Sequence, residues 1–305
     1  MHVQLSHFVR NGWTGVRLNK THQWIMDRDE VNGGNSIVPP VALRVIGLAN
    51  DILFIVGKFF FNLFHPREYS EEIVENGGGE KALVVLLHGL NSNSAHMGIS
   101  RRALEHRFGQ SLAYFQPRIY RRGNCKLDEA TEKVTQMVRQ WAMKNPDKPI
   151  VFTGVSNGAR ISALAASQLK CLDGLSNPMK VHAAAGPFFG THTVRPPLPS
   201  RIVKVWQWML RTPLFKKISK EFIEEMTWGG SQCRHLINEM KSGARAGVEF
   251  SFYSSRGDTM VRSAVSAFPK EVQGASYRMF TYQGHSSIIK AVTPYVVKSV
   301  ASAVG

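Results

Sequence analysis

Gly154-Val155-Ser156-Asn157-Gly158 stands between a short apolar run, residues 149–153, and a stretch rich in helix formers and small residues, 159–169. Gly-x-Ser-x-Gly is a short pattern, and its flanks give it meaning. A strand that turns sharply into a helix at this point lifts the serine hydroxyl out of the sheet into a strained, exposed position from which it can attack a carbonyl. A hydroxyl does this well only when a neighbouring base removes its proton, and the base works best when a carboxylate fixes its tautomer and stabilises its cation. Both partners must lie downstream. His285 follows the strand-like run 277–282 and opens the last helical stretch, whereas Asp258 follows the strand-like run 248–254. Singly, a histidine ahead of a helix is usually a cap or surface residue, and an aspartate beside glycine a turn former. In series, after successive strands and behind a strand-to-helix serine, they read as base and supporting acid. Asp173 follows the serine helix too closely to compete, Glu249 lies inside a strand reading, and His192 and His235 are less well placed.

Acyl transfer develops negative charge on the carbonyl oxygen, which needs donors already in place. The backbone N–H of Asn157, directly after the serine, supplies one. The second is expected from Leu90, in the loop after the first core strand, where Gly89 permits a tight turn. His88 in the same loop reads as an ordering residue rather than a second base.

The elements that must carry these groups alternate. Strands are predicted at 82–87, 112–116, 150–153, 181–185, 248–254 and 277–282, and helices at 101–108, 127–144, 159–170 and 286–303. This predicts an α/β fold, a mostly parallel central sheet with helices on both faces. Residues 1–80 read as an extension, with Asn32-Gly33-Gly34-Asn35 and Pro39-Pro40 as a linker, and residues 81–305 as the catalytic domain. Within the extension, 41–64 is a strongly apolar helix. Arg44, Asp51 and Lys58 recur on it at seven-residue steps and, with Asn62, form one narrow polar face. Such a helix packs on the body or a partner, or lies in a membrane interface; three charges argue against a span.

Of 305 residues, 43% are hydrophobic, enough for a full α/β core. The formal net charge is +16, which favours anionic surfaces, an anionic membrane among them. No recognisable reading element accompanies the charge, which argues against nucleic acid as the partner. Cys125, Cys171 and Cys233 are far apart and form neither a disulfide framework nor a metal pattern. The first 28 residues do not read as a cleavable signal. A cytoplasmic or peripherally membrane-associated protein is expected, with non-classical export left open, and no metal or organic cofactor is required.

Leu86-Leu87-His88-Gly89-Leu90, Gly154-Val155-Ser156-Asn157-Gly158, Asp258-Thr259-Met260-Val261 and Gly284-His285-Ser286 together resemble the α/β-hydrolase superfamily, over residues 81–305. Gly186-Pro187-Phe188-Phe189-Gly190-Thr191 and Glu225-Met226-Thr227-Trp228-Gly229-Gly230-Ser231 are similar to a lipase and esterase branch that includes triacylglycerol lipases and GPI inositol-deacylase-like proteins. The first of these carries Phe189 where that branch has histidine. The resemblance implies Ser156, Asp258 and His285 as a triad, with Leu90 and Asn157 as the oxyanion hole.

Hydrolases of this fold carry a cap where this chain has residues 187–243. Trp206, Trp208 and other bulky apolar residues are crowded there among Arg201, Lys204, Arg211, Lys216 and Lys217. Trp206, Trp208 and Phe188 are the candidate substrate contacts. The expected activity is cleavage of a carboxylic ester of lipid type through an acyl-serine. Thioester cleavage and acyl transfer use the same groups. A silent hydrolase fold that docks on membranes or a partner is the alternative.

Overall fold

The computed structural model describes residues 15–17, 24–26, 41–64, 71–191, 219–261 and 264–305. Two short strands, β1 (Gly15–Arg17) and β2 (Trp24–Met26), pair antiparallel with each other. The apolar stretch after them is a single helix, α1 (Val41–Phe64). The remaining strands are β3 (Ala82–Leu87), β4 (Leu112–Phe115), β5 (Ile150–Val155), β6 (Met179–Ala184), β7 (Val248–Ser255) and β8 (Ser276–Phe280). They form one sheet in the order β4-β3-β5-β6-β7-β8, every neighbouring pair parallel.

Parallel strands are covered on both faces, so they read as unbroken apolar runs rather than alternating ones. All six residues of β3 are buried. Leu83, Val85 and Leu87 join the core shared with α3 (Leu127–Lys144), α4 (Asn157–Cys171) and α6 (Ser231–Arg245). Ala82, Val84 and Leu86 join the opposite core, shared with α2 (Gly98–Phe108) and α8 (Ile288–Val304). Two further α-helices are short, α5 (Lys220–Glu225) and α7 (Ala264–Ala267). The sheet and its two helical layers are those expected from sequence.

α6 lies in the stretch 187–243 that was expected to carry a cap. Its Leu236, Ile237 and Met240 are buried in the main core, so this part is a crossover helix between β6 and β7. Trp206 and Trp208 lie outside the described residues.

α1 is turned in an unusual way. A helix on a protein surface ordinarily buries its apolar stripe and turns its polar stripe to water. Here Gly47, Asp51 and Phe54 face the body, while Val45, Leu48, Ile52, Leu53, Ile55 and Val56 are exposed, Leu53 by 67%. The stripe containing the acid is inside.

Candidate active site

Because the strands run the same way, the loops after β3, β5, β7 and β8 all leave one edge of the sheet, the edge at which open α/β sheets bind ligands. These loops carry Gly89-Leu90, Ser156, Asp258 and His285.

Ser156 joins β5 to α4 with φ 58° and ψ −124°, a conformation costly for a residue with a side chain. The glycines around it make room for the turn. A Cβ on Gly154 would stand 2.2 Å from the Gly158 carbonyl oxygen, and one on Gly158 would stand 2.3 Å from that of Leu87. On Gly89 it would meet Ser156 Cβ at 2.9 Å, so the loop after β3 passes directly against the serine.

Asp258 is almost fully buried. Its Oδ1 accepts the N–H groups of Met260 at 2.7 Å and Val261 at 2.9 Å, and its Oδ2 lies 2.8 Å from His285 Nδ1. A carboxylate only accepts, so Nδ1 carries the proton and Nε2 is left with a free lone pair, the state a general base requires. Burial works against charging the imidazole, but the attraction and hydrogen bond of Asp258, with a smaller attraction from Asp51, raise the His285 pKa above its ordinary value.

The loop expected to hold the oxyanion is tied down by His88. Its Nε2 accepts the Ile119 N–H at 3.3 Å, so its Nδ1 donates to the Gly89 carbonyl at 2.8 Å. This fully buried histidine orders the loop, as its position suggested. The Asn157 side chain donates to the Gly123 carbonyl at 3.1 Å and accepts from Arg160 at 3.3 Å. A Cβ on Gly123 would lie 3.1 Å from Asn157 Nδ2 and 3.8 Å from Leu90 Cα, so Leu90 and Asn157 flank the same glycine. Arg160 is buried against Glu225 at 3.5 Å and also donates to Met226 Sδ at 3.0 Å. It thereby connects the serine helix to α5.

The two stretches that suggested the lipase branch interlock. Thr191 N–H donates to the Met226 carbonyl at 3.0 Å, Gly229 N–H to that of Phe189 at 2.9 Å, and Thr191 Oγ1 to that of Met260 at 3.0 Å, beside Asp258. Phe188, expected to touch substrate, is instead fully buried and packs edge-on against Phe252 with ring centroids 5.1 Å apart.

Of the competing groups, Asp173 is paired with Arg139, Glu249 with Lys180, and His235 is exposed. His192 lies outside the described residues. His182, buried beside Tyr253, is pushed down to about 4 by burial and then by Lys180, so it stays neutral. Among the described residues no group of three or more His, Cys, Asp or Glu side chains is close enough to hold a metal ion.

The sequence reading missed what α1 contributes. Asp51 Oδ2 accepts the N–H of His285, and its Oδ1 those of Ser286 and Ser287, each at 2.8 Å. Asn50 donates to the Tyr282 carbonyl at 2.6 Å. A lone acid four residues after a glycine within an apolar helix was the available signal; its partner loop, more than 230 residues away, was not readable.

The same arrangement of sheet and helices recurs in solved structures. Est1E from Butyrivibrio proteoclasticus, solved with ferulic acid bound, superposes with a TM-score of 0.52 at 14% identity, covering 76% of this chain and 94% of that one. The chain has the α/β-hydrolase fold. A hyperthermophilic esterase from the archaeon Pyrobaculum calidifontis shares that fold, with a TM-score of 0.50 at 12% identity over 87% of this chain and 99% of its own. Residues 79–220 of the chain match the family described as "Putative serine esterase (DUF676)", a span that contains the Ser156 turn and the Gly89-Leu90 loop. No curated protein matches the sequence.

Proposed function

We propose that the protein is a serine hydrolase that cleaves carboxylic esters of acyl-chain or lipid type. The observation that carries this reading is the 2.8 Å pair of His285 Nδ1 and Asp258 Oδ2, presented at the same sheet edge as the strained Ser156 turn. The matched esterase family supports it. His285 Nε2 takes the Ser156 proton as Oγ forms a bond to the ester carbonyl carbon. The N–H groups of Leu90 and Asn157 stabilise the resulting oxyanion. His285 then gives its proton to the departing alkoxide, releasing the alcohol and leaving an acyl-serine. Water, deprotonated by His285, attacks that acyl group; the Oγ–acyl bond breaks, the carboxylic acid leaves, and His285 returns the proton to Ser156 Oγ.

The enzyme works at the periphery of an anionic membrane in this proposal. The exposed apolar residues of α1 and the +16 charge support that setting, the first for contact with acyl chains and the second for anionic headgroups. No described helix is long and apolar enough to cross a membrane. A fluorophosphonate probe tests the chemistry. Labelling of the protein, lost in Ser156→Ala, is expected; absence of labelling, or equal labelling of the variant, refutes the reading.

A further inference from the structure

Residues 284–287 lead into α8, and the first N–H groups of a helix have no partner within it. The residue that ordinarily supplies an acceptor there does not: the Ser287 side chain accepts the Gly284 N–H at 2.9 Å and does not cap its own helix. The segment just ahead of the helix is held from α1 instead. One carboxylate, Asp51, takes the consecutive N–H groups of His285, Ser286 and Ser287. The fit is close: a Cβ on Gly284 would stand 2.2 Å from the Gly47 carbonyl oxygen and 2.3 Å from Asp51 Cγ. The same loop is held from its other side by His96, whose Nε2 donates to the Ser286 carbonyl at 3.0 Å. Phe54 of α1 packs on that ring, with centroids 5.1 Å apart. α1 therefore grips both the segment that carries the base and the turn that follows the oxyanion loop.

We propose that Asp51 is a positioning residue of the active site, and that through it α1 sets the placement of His285. This rests on the serine-hydrolase reading above. Asp258 fixes the imidazole by its side chain; Asp51 fixes the backbone from which that side chain hangs. Both are needed, because a ring oriented on a drifting backbone does not keep its Nε2 near the serine, and a displacement of about 1 Å costs on the order of 100-fold in rate. Burial raises the Asp51 pKa above its ordinary value despite the N–H groups it accepts, and Asp258 adds repulsion, while His285 attracts it. Its contact with the loop is thus held by three hydrogen bonds against a desolvation cost, with His285 and Asp258 as its titratable neighbours.

The test uses the full-length protein, Asp51→Ala and Asp51→Asn, with p-nitrophenyl butyrate as a soluble substrate. In Asp51→Ala, kcat is expected to fall about 100-fold with KM within about threefold of wild type. Asp51→Asn, which keeps one acceptor oxygen, is expected to fall between the two, and it serves if the alanine variant does not fold. A folded variant with wild-type kcat overturns the proposal. Hydrogen exchange gives a readout independent of turnover: protection of the 285–287 amides is expected to be lost while that of β5 and β6 is retained. If wild-type protein neither labels nor hydrolyses, the hydrolase reading fails, and exchange alone decides the clasp; retained protection at 285–287 in the variants overturns it.

Discussion

Gly47 and Gly257 are in backbone contact. A Cβ on Gly47 would stand 2.1 Å from the Gly257 carbonyl oxygen, closer than any side chain can come. Gly257 immediately precedes Asp258, so the helix seats on the acid's loop as well as on the histidine's. Gly47→Ala is expected to lift α1 and lower kcat by on the order of 100-fold, as loss of the Asp51 clasp does. Gly57, on the same helix, has nothing within 4 Å of the position a methyl group would take. There the alanine is expected to leave activity unchanged and raise stability by about 0.5–1 kcal/mol, through helix propensity alone. Steady-state kinetics and urea melts of the two variants check the contrast, and equal behaviour would refute it.

Ser156 is held at φ 58°, a region that glycine enters without cost and other residues enter at about 1–3 kcal/mol. Ser156→Gly is therefore expected to be inactive and yet more stable than wild type by about 1 kcal/mol. Equilibrium unfolding in urea measures this. A destabilised glycine variant would mean that the serine side chain contributes more to the fold than its strain costs.

The His285 pKa is raised, with the Asp258 charge and hydrogen bond overcoming desolvation. A base must be neutral to act, so the acid limb of kcat/KM is expected to lie above the ordinary histidine value of about 6.5. Asp258→Asn is expected to reduce kcat by about 10⁴-fold, since the amide can hold the wrong tautomer. The same shift has a stability consequence of defined sign. Protonated His285 is favoured in the folded state, so its contribution is fully present below about pH 6.5 and is lost as pH rises through the raised folded value. Titration of the His285 ring by NMR, alongside the pH–rate profile, checks both; a ring titrating below 6.5 contradicts them.

The sheet was legible because buried parallel strands announce themselves: 82–87 and 150–153 are apolar runs bounded by turn residues, and their observed spans differ by two residues or fewer. α8 was expected from 286 and begins at Ile288, two residues later. The contact that the residues ahead of it make with Asp51 is tertiary, and local periodicity holds no trace of it. Phe188 misled for a related reason. An aromatic residue after a strand can face a cleft or the core, and only the neighbouring Phe252 and Gly186 decide. The sequence set Asp51 apart from the apolar residues of α1, but not the direction it faces; the side chain of Asn62, assigned to the same face, lies outside the described residues. Amphipathicity says which residues share a face, not which face has a partner.

The inverted seating of α1 carries the last prediction. Ile52 and Leu53 are exposed by 53% and 67%, on the side of the helix away from Asp51's contacts. In water this arrangement leaves apolar surface unburied, at a cost of roughly 25 cal/mol per Å²; at an acyl-chain interface the same surface becomes the binding energy. The full-length protein is therefore expected to co-sediment with phosphatidylserine-containing vesicles, with binding reduced at high salt, where headgroup attraction is screened. Ile52→Ser with Leu53→Ser is expected to weaken that binding by at least tenfold, since two buried aliphatic side chains contribute about 1.5–3 kcal/mol each. The double variant should retain hydrolysis of a short soluble ester, because neither side chain takes part in the Asp51 clasp. Binding that survives the double substitution would assign the exposed strip to something other than lipid.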